Sequence, residues 1–375
     1  MRTRSAQKAY MRITRWLPNE VLTEIIQNAP RADLVTLCRV SKLFHALALP
    51  SLNQTVVLET SMRRREVLEA FCRAIMQSPE RADSLRSLSF TSGYLYRSLP
   101  AEDSLIESLR LMRRLEHLVI QDFRPLGVVS CLARLTFPNL LSFSLTYPAS
   151  GWKTHVEDFL SRHPTITHLR LWLIGGEDPV PEGALLPKLQ YYHGTARLLS
   201  AFSKHRLQCV RTAWAENADV PVTCASIVIE KLGVQASPNL ASLSIVCINA
   251  TQASDAIIHL SNHTSHLQKL KLHSYARYIT RAMVNDITAC LPRFERLKYL
   301  LFDYAHKGDR LVYDVGEDEE PEILKTWANS SSTLRGCRFC EIACVKVGQK
   351  WEECSPEELD AEAGFDERRA SRRDP

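Results

Sequence analysis

A short phrase, L-x-x-L-x-L or a close variant, recurs along most of this chain and restricts the folds open to it. Clear copies are Leu85-Leu88-Phe90, Leu115-Leu118-Ile120, Leu140-Phe143-Leu145, Ile166-Leu169-Leu171, Leu240-Leu243-Ile245, Leu267-Leu270-Leu272 and Leu297-Leu300-Phe302. Degenerate copies stand at Leu189-Tyr192, Leu207-Val210 and Leu334-Cys337-Phe339. Successive first positions lie 18 to 37 residues apart, the spacing of an array of units. The last four residues of each phrase alternate in and out as a short strand. Helical patterns fill the gaps, at Val67-Leu68-Phe71-Ile75, Leu105-Ile106-Leu109-Met112, Val156-Phe159-Leu160, Ile257-Ile258-Leu260 and Val284-Ile287-Leu291. One such unit cannot bury its own leucines, so neighbours must stack. The expected fold class is α/β: over residues 61–350, an irregular solenoid with short parallel strands inside and helices outside.

The outward strand positions would line one continuous face. In the early units they are small and polar, as at Ser87, Ser89, Ser142 and Ser144. Later units interleave cations with aromatic rings: His168, Arg170 and Trp172, then Tyr191 and His193, then Arg211, then Lys269, Lys271 and His273. Guanidinium forks match phosphate and carboxylate geometry, and flat rings give contact area at low entropic cost. These nine residues are the candidate substrate-binding face, suited to an acidic or phosphorylated protein segment. A solvated strand surface with a few exposed rings is the plain alternative.

A different pattern precedes the array. Residues 17–58 read LPNEVLTEIIQNAPRADLVTLCRVSKLFHALALPSLNQTVVL, with Pro18 placed for a first helical turn and Val21, Leu22, Ile25 and Ile26 at helical spacing. Asp33 is the expected N-cap of a second helix through Leu34, Leu37 and Cys38. A third would run through Val40, Leu43, Phe44 and Leu47. Helices this short need outside cover.

This segment resembles an F-box. The matching residues are Leu17-Pro18, Glu20, Val21-Leu22, Ile25-Ile26, Asp33-Leu34, Leu37, Arg39-Val40-Ser41-Lys42, Phe44 and Leu52-Asn53-Gln54-Thr55. Ser41 stands where the family often has cysteine, and Phe44 where tryptophan is common. With the array behind it, the chain is similar to F-box proteins of the fungal type that carry a leucine-rich-repeat-like C-terminal region. The resemblance implies docking on a Skp-type linker protein, and through it on the cullin of an SCF-type ubiquitin ligase. Leu17, Pro18, Glu20, Leu22, Ile25, Ile26, Leu34, Leu37, Val40, Lys42 and Phe44 would carry the F-box core and linker contact. It further implies a non-catalytic adaptor that captures a protein substrate in the cytoplasm or nucleus. The alternative is an interaction scaffold that uses the same docking without ubiquitylation.

The expected organisation is a basic flexible tail (1–11), the F-box (12–60), the solenoid (61–350) and a disordered charged tail (351–375). A net charge of +5 is too mild to argue for nucleic acid, and no apolar run reaches membrane-span length. The basic start (Arg2, Arg4, Lys8, Arg12, Arg15) lacks the apolar segment of a secretory signal. Eleven cysteines scattered through apolar segments read as small buried hydrophobes. Cys337-x2-Cys340 has zinc-knuckle spacing, with Cys344, Cys354 and His306 nearby in sequence, but the same residues also read as a last repeat strand. No metal, cofactor or catalytic residue is expected: G-x-S-x-G, Walker and H-E-x-x-H patterns do not occur.

Overall fold

The computed structural model describes residues 17–60, 65–92, 102–121, 132, 134–148, 152–174, 186–195, 199, 202, 207–213, 239–247, 250–274, 279–304 and 319–365. The basic tail at 1–11, the tail from 366, His306 and most of the acidic stretch 314–322 lie outside them. Two compact units divide the chain at Ser142 and Phe143.

The first unit opens with α1 (Asn19–Gln27), α2 (Arg31–Val40) and α3 (Lys42–Asn53). Ile26, Leu34 and Ala48 form their core, with Ala29, Leu37, Cys38, Phe44, Leu47 and Leu52 packed against it. Two helix starts differ from expectation. Pro30, with φ fixed at −56°, precedes α2, so the helix begins at Arg31 and Asp33 falls in its first turn, beside the positive end of the dipole. Val40 closes α2, and Ser41 caps α3 by accepting from the Phe44 amide at 3.2 Å.

Strand β1 (Thr55–Thr60), helices α4 (Arg65–Gln77) and α5 (Pro79–Ser84), strand β2 (Ser87–Ser92), helix α6 (Glu102–Leu111) and strand β3 (His117–Gln121) follow. The three strands are parallel, with Val56, Leu88 and Leu118 in one register and Leu58, Phe90 and Ile120 in another. Leu68 and Ile75 of α4, with Leu105 and Leu109 of α6, are buried. The triple helix is not left to stand alone, since α3 touches both α5 and β1. That cover supplies what forty residues lack.

The second unit carries β4 (Ser142–Pro148), α7 (Trp152–Ser161), β5 (His168–Ile174), β6 (Tyr191–Thr195), β7 (Cys209–Ala213), β8 (Ser242–Cys247), α8 (Ala250–His263), β9 (Lys269–Ser274), α9 (Arg281–Cys290), β10 (Tyr299–Tyr304), α10 (Glu320–Ser330) and β11 (Gly336–Phe339). From β5 to β11 the strands pair in chain order and in parallel. One row crosses all seven: Leu169, Tyr192, Val210, Leu243, Leu270, Leu300 and Cys337, none more than 2% exposed. Each is the second apolar position of its phrase, so the phrase is the inward half of a strand.

Two features at the end depart from expectation. Strands β12 (Ile342–Val347) and β13 (Lys350–Cys354) are antiparallel, because a two-residue connection through Gly348 (φ +65°) folds the chain straight back. Residues 351–365 are also not a disordered tail. They complete β13 and form α11 (Pro356–Ala363), whose Ser355–Glu358 capping box and left-handed Gly364 satisfy both helix ends. The segment has few apolar residues, but Leu359, Ala363 and Phe365 are all buried.

Candidate functional site

Helix α1 has two apolar faces. Leu22 and Ile26 are 3% and 1% exposed and point into the core. One residue earlier in each case, Val21 and Ile25 are 38% and 56% exposed, and Leu17 continues the same four-residue spacing. On α2, Val35 is exposed as well. This divides the eleven residues expected at a linker interface. Leu17, Pro18, Glu20, Ile25 and Lys42 are exposed, and Leu37, Val40 and Phe44 are half-buried. Leu22, Ile26 and Leu34 are buried and make up the core share of that set. Val21 and Val35, outside the eleven, are exposed as well, since exposure on a short helix depends on what packs behind it.

The strand face of the second unit is built from two rows in register. The first is His168, Tyr191, Cys209, Ser242, Lys269, Tyr299 and Gly336; the second is Arg170, His193, Arg211, Ser244, Lys271, Leu301 and Arg338. All nine residues of the candidate substrate face therefore do share one side of the strands, with Trp172 and His273 at the next outward positions.

At the β5–β6 end the rings touch one another. His168 and Tyr191 stack with centroids 4.2 Å apart, and Trp172 meets His193 edge-on at 4.8 Å. The Arg170 guanidinium lies 5.5 Å from the Trp172 ring. The Trp172 Nε1 is buried and has no hydrogen-bond acceptor among the described residues. Burial, with the Arg170 and Arg211 charges, pushes the His193 pKa down to about 3, so this imidazole is neutral at neutral pH.

The β9–β11 end is occupied by the chain's own α11. Lys269 Nζ donates to the Ala363 carbonyl at 2.5 Å, and Arg211 donates to the Gly364 carbonyl at 2.8 Å. Lys271 lies 2.9 Å from Asp303 and 3.3 Å from Asp360. Arg338 bonds the same two carboxylates, at 3.0 Å to Asp360. His273 Nε2 is 3.2 Å from Asp303, and the Tyr299 hydroxyl donates to Glu362 at 2.9 Å. The Lys271, Arg338 and Asp303 side chains are 11%, 8% and 9% exposed. Beneath the helix, Tyr299, Leu301, Ala343, Leu359, Ala363 and Phe365 form a separate apolar cluster.

Arg211, Lys269 and Lys271 are thus partners of the C-terminal helix segment and His273 pairs with Asp303 on β10, so the four do not make the free cationic surface expected. Two cations, Lys271 and Arg338, meet two carboxylates, Asp303 and Asp360, and the charge cancels. Burial lowers the Lys271 pKa while Asp360 opposes that shift. Burial, then Lys271 and Arg338, lowers that of His273 to about 4. Burial and Glu362 raise that of Tyr299 to about 12. Arg338 and Asp360 were missed by sequence reading. The S-P-E-E start of α11 was the available signal, hidden in a stretch read as acidic tail.

The cysteine cluster resolves as packing. Cys337 ends the buried row on β11 and faces Cys344 across an antiparallel pair, while Cys340 follows the strand with φ +54°. Burial pushes the Cys337 and Cys340 thiols far above their ordinary pKa.

Comparison with known proteins bears on the helical segment. Residues 16–59 match the F-box-like family model, and form an F-box-like domain. No curated protein matches the chain. In the crystal structure of the Rad7 and Elc1 complex from yeast, one chain shows a TM-score of 0.40 and 13% identity, over 85% of this chain and 99% of that one.

Proposed function

We propose that this chain is the substrate-recognition adaptor of an SCF-type cullin–RING ubiquitin ligase, with the F-box-like domain docking on a Skp-type linker. The observation that carries the reading is the exposed apolar stripe Leu17, Val21 and Ile25, with Val35, on an F-box-like domain whose own core is already closed. An apolar surface next to a complete core is spare, and burying it in a partner is favourable. Pro18, Glu20 and Lys42 are exposed as well.

The remainder of the chain, read as a leucine-rich-repeat-like array, presents the client-binding face. Among the described residues the bonds of α11 and residues 364–365 run to β7, β9, β10 and β11. Client capture is therefore assigned to the β5–β6 patch of His168, Arg170, Trp172, Tyr191 and His193. An acidic or phosphorylated segment suits it: Arg170 supplies the fork, the stacked rings an anchor, and the buried Trp172 N–H a donor awaiting an acceptor. The adaptor does no bond chemistry; it raises the local concentration of client beside a charged ubiquitin carrier. Such an assembly would work in the cytoplasm or nucleus.

The test is a pull-down of the full chain with a Skp-type linker and cullin, beside Ile25→Asp and the Leu17→Ala/Pro18→Ala double variant. Retention by wild type and loss by both variants, with unchanged melting temperatures, is the expected result. A well-folded wild-type chain that binds no linker would overturn the assignment. Reconstituted ubiquitylation of a captured client then separates a ligase adaptor from a scaffold.

A further inference from the structure

The second unit has a cleft at the N-terminal ends of β9, β10 and β11, bordered on one side by Glu362 of α11. Its volume is about 630 Å³, within the range of small-molecule sites. Arg296, Lys298, Arg335 and Lys346 line it, against two carboxylates, Glu295 and Glu362. Leu334 is the one bulky apolar side chain in the lining, and it is only 1% exposed.

Three of the cations are direct neighbours across the strands. The Lys298 amide donates to the Gln268 carbonyl, the Arg335 amide to Lys298, and the Lys346 amide to Arg335, each at 2.7 Å. Adjacent strands lie about 4.8 Å apart, so Lys298, Arg335 and Lys346 form an unbroken row of like charge. Like charges directly opposite destabilise a sheet. Among the described residues none of the four cations makes an ion pair, unlike Lys271 and Arg338 one turn of sheet away. Lys298 and Lys346 are moreover half-buried, where an uncompensated charge costs more than at the surface. Glu362, a residue of α11, accepts from the Tyr299 hydroxyl at 2.9 Å.

We infer that this cleft binds a phosphate-bearing ligand, whose oxygens bridge Lys298, Arg335 and Lys346. A phosphoryl group supplies the missing counter-charge, with enough oxygens to serve adjacent donors, and the guanidinium of Arg335 matches it as a fork. The hydroxyl of Ser332 and the carboxylate of Glu295 suit the hydroxyl-rich remainder of a small hydrophilic molecule. The polar lining offers no apolar anchor of the kind that fixes a peptide.

Pyrophosphate is the first probe, titrated into the full chain by calorimetry and thermal shift at low salt, with sodium chloride of matched ionic strength as control. A rise in melting temperature beyond the salt control is expected, with Arg335→Gln and Lys346→Gln each weakening binding about tenfold. Without anion, both variants should melt at or above wild type, because they relieve repulsion; a merely structural role would lower the melting temperature. A phosphothreonine peptide and its unphosphorylated twin separate the sources. Tighter binding of pyrophosphate assigns the site to a free phosphorylated metabolite, and tighter binding of the phosphopeptide to a modified protein. A shift no larger than the salt control, or variants that titrate like wild type, would overturn the inference. Neither result bears on linker docking, which involves residues of the other unit.

Discussion

Leu359 fills the space that Gly336 leaves open: a Cβ on Gly336 would come within 2.5 Å of Leu359 Cδ1 and 3.0 Å of the Tyr299 ring. The strand that α11 covers is therefore shaped for it. Gly336→Ala should overpack this contact and cost about 1–3 kcal/mol. Urea unfolding would read the loss, and amide exchange should rise first in residues 356–365. Protection there equal to wild type would mean that Leu359 is not the anchor of the helix.

Lys271→Glu is expected to act on stability rather than on client capture. It would place a third carboxylate among Asp303 and Asp360, and leave only Arg338, of the two cations that bonded both carboxylates, to offset them. Breaking a buried pair on one side costs about 3–5 kcal/mol. Arg170→Glu, at the β5–β6 end, should instead weaken client capture with little change in melting temperature. Measuring both variants by thermal melt and client pull-down checks the division of the face.

Acid should weaken the fold through two histidines. His273 and His193 titrate at about 4 and about 3 in the folded chain. An unfolded histidine titrates near ~6.5, so above that pH neither state binds a proton and stability is flat. Below it the unfolded chain takes up protons that the folded chain does not, and stability falls until the folded value is reached. His273→Gln should flatten part of this slope between pH ~6.5 and about 4, read as the urea midpoint against pH. The effect is modest, since the His273 side chain keeps 36% of its surface in solvent. A variant with the wild-type slope would exclude His273 as a contributor.

Adjacent residues on α1 should behave oppositely. Ile25→Asp is expected to abolish linker binding and change stability by no more than ~0.5 kcal/mol, as an exposed substitution. Ile26→Ala, in the core with Leu34 and Ala48, should cost about 2–5 kcal/mol. Binding should then fall only as far as the domain unfolds. Circular dichroism beside linker pull-down separates the two.

The regular parts of this architecture were legible in the sequence because they rest on local period. Leu300 and Phe302 announce an inward strand, and Val284 with Ile287 an amphipathic helix, without reference to anything distant. The outward positions were placed correctly on one face, but their company was not. Lys271 reads as a solvent-facing cation because Asp360 is 89 residues away and lies in a stretch whose composition mimics disorder. The same limit applied to α1: helical spacing marked both Ile25 and Ile26 as apolar, and only the placement of α2 and α3 decides which is inside.

Strand β10 is apolar on both sides, Leu300 and Phe302 toward the helices and Tyr299 and Leu301 toward α11. On the ribosome, the second of these sides lacks its α11 cover until residues 359–365 emerge, some sixty residues later. For that interval the nascent chain displays a flat, greasy strand surface of the sort that chaperones bind and that seeds misassembly. A premature stop anywhere between β10 and α11 would make that state permanent, so such products should be cleared by quality control and not persist as shortened chains.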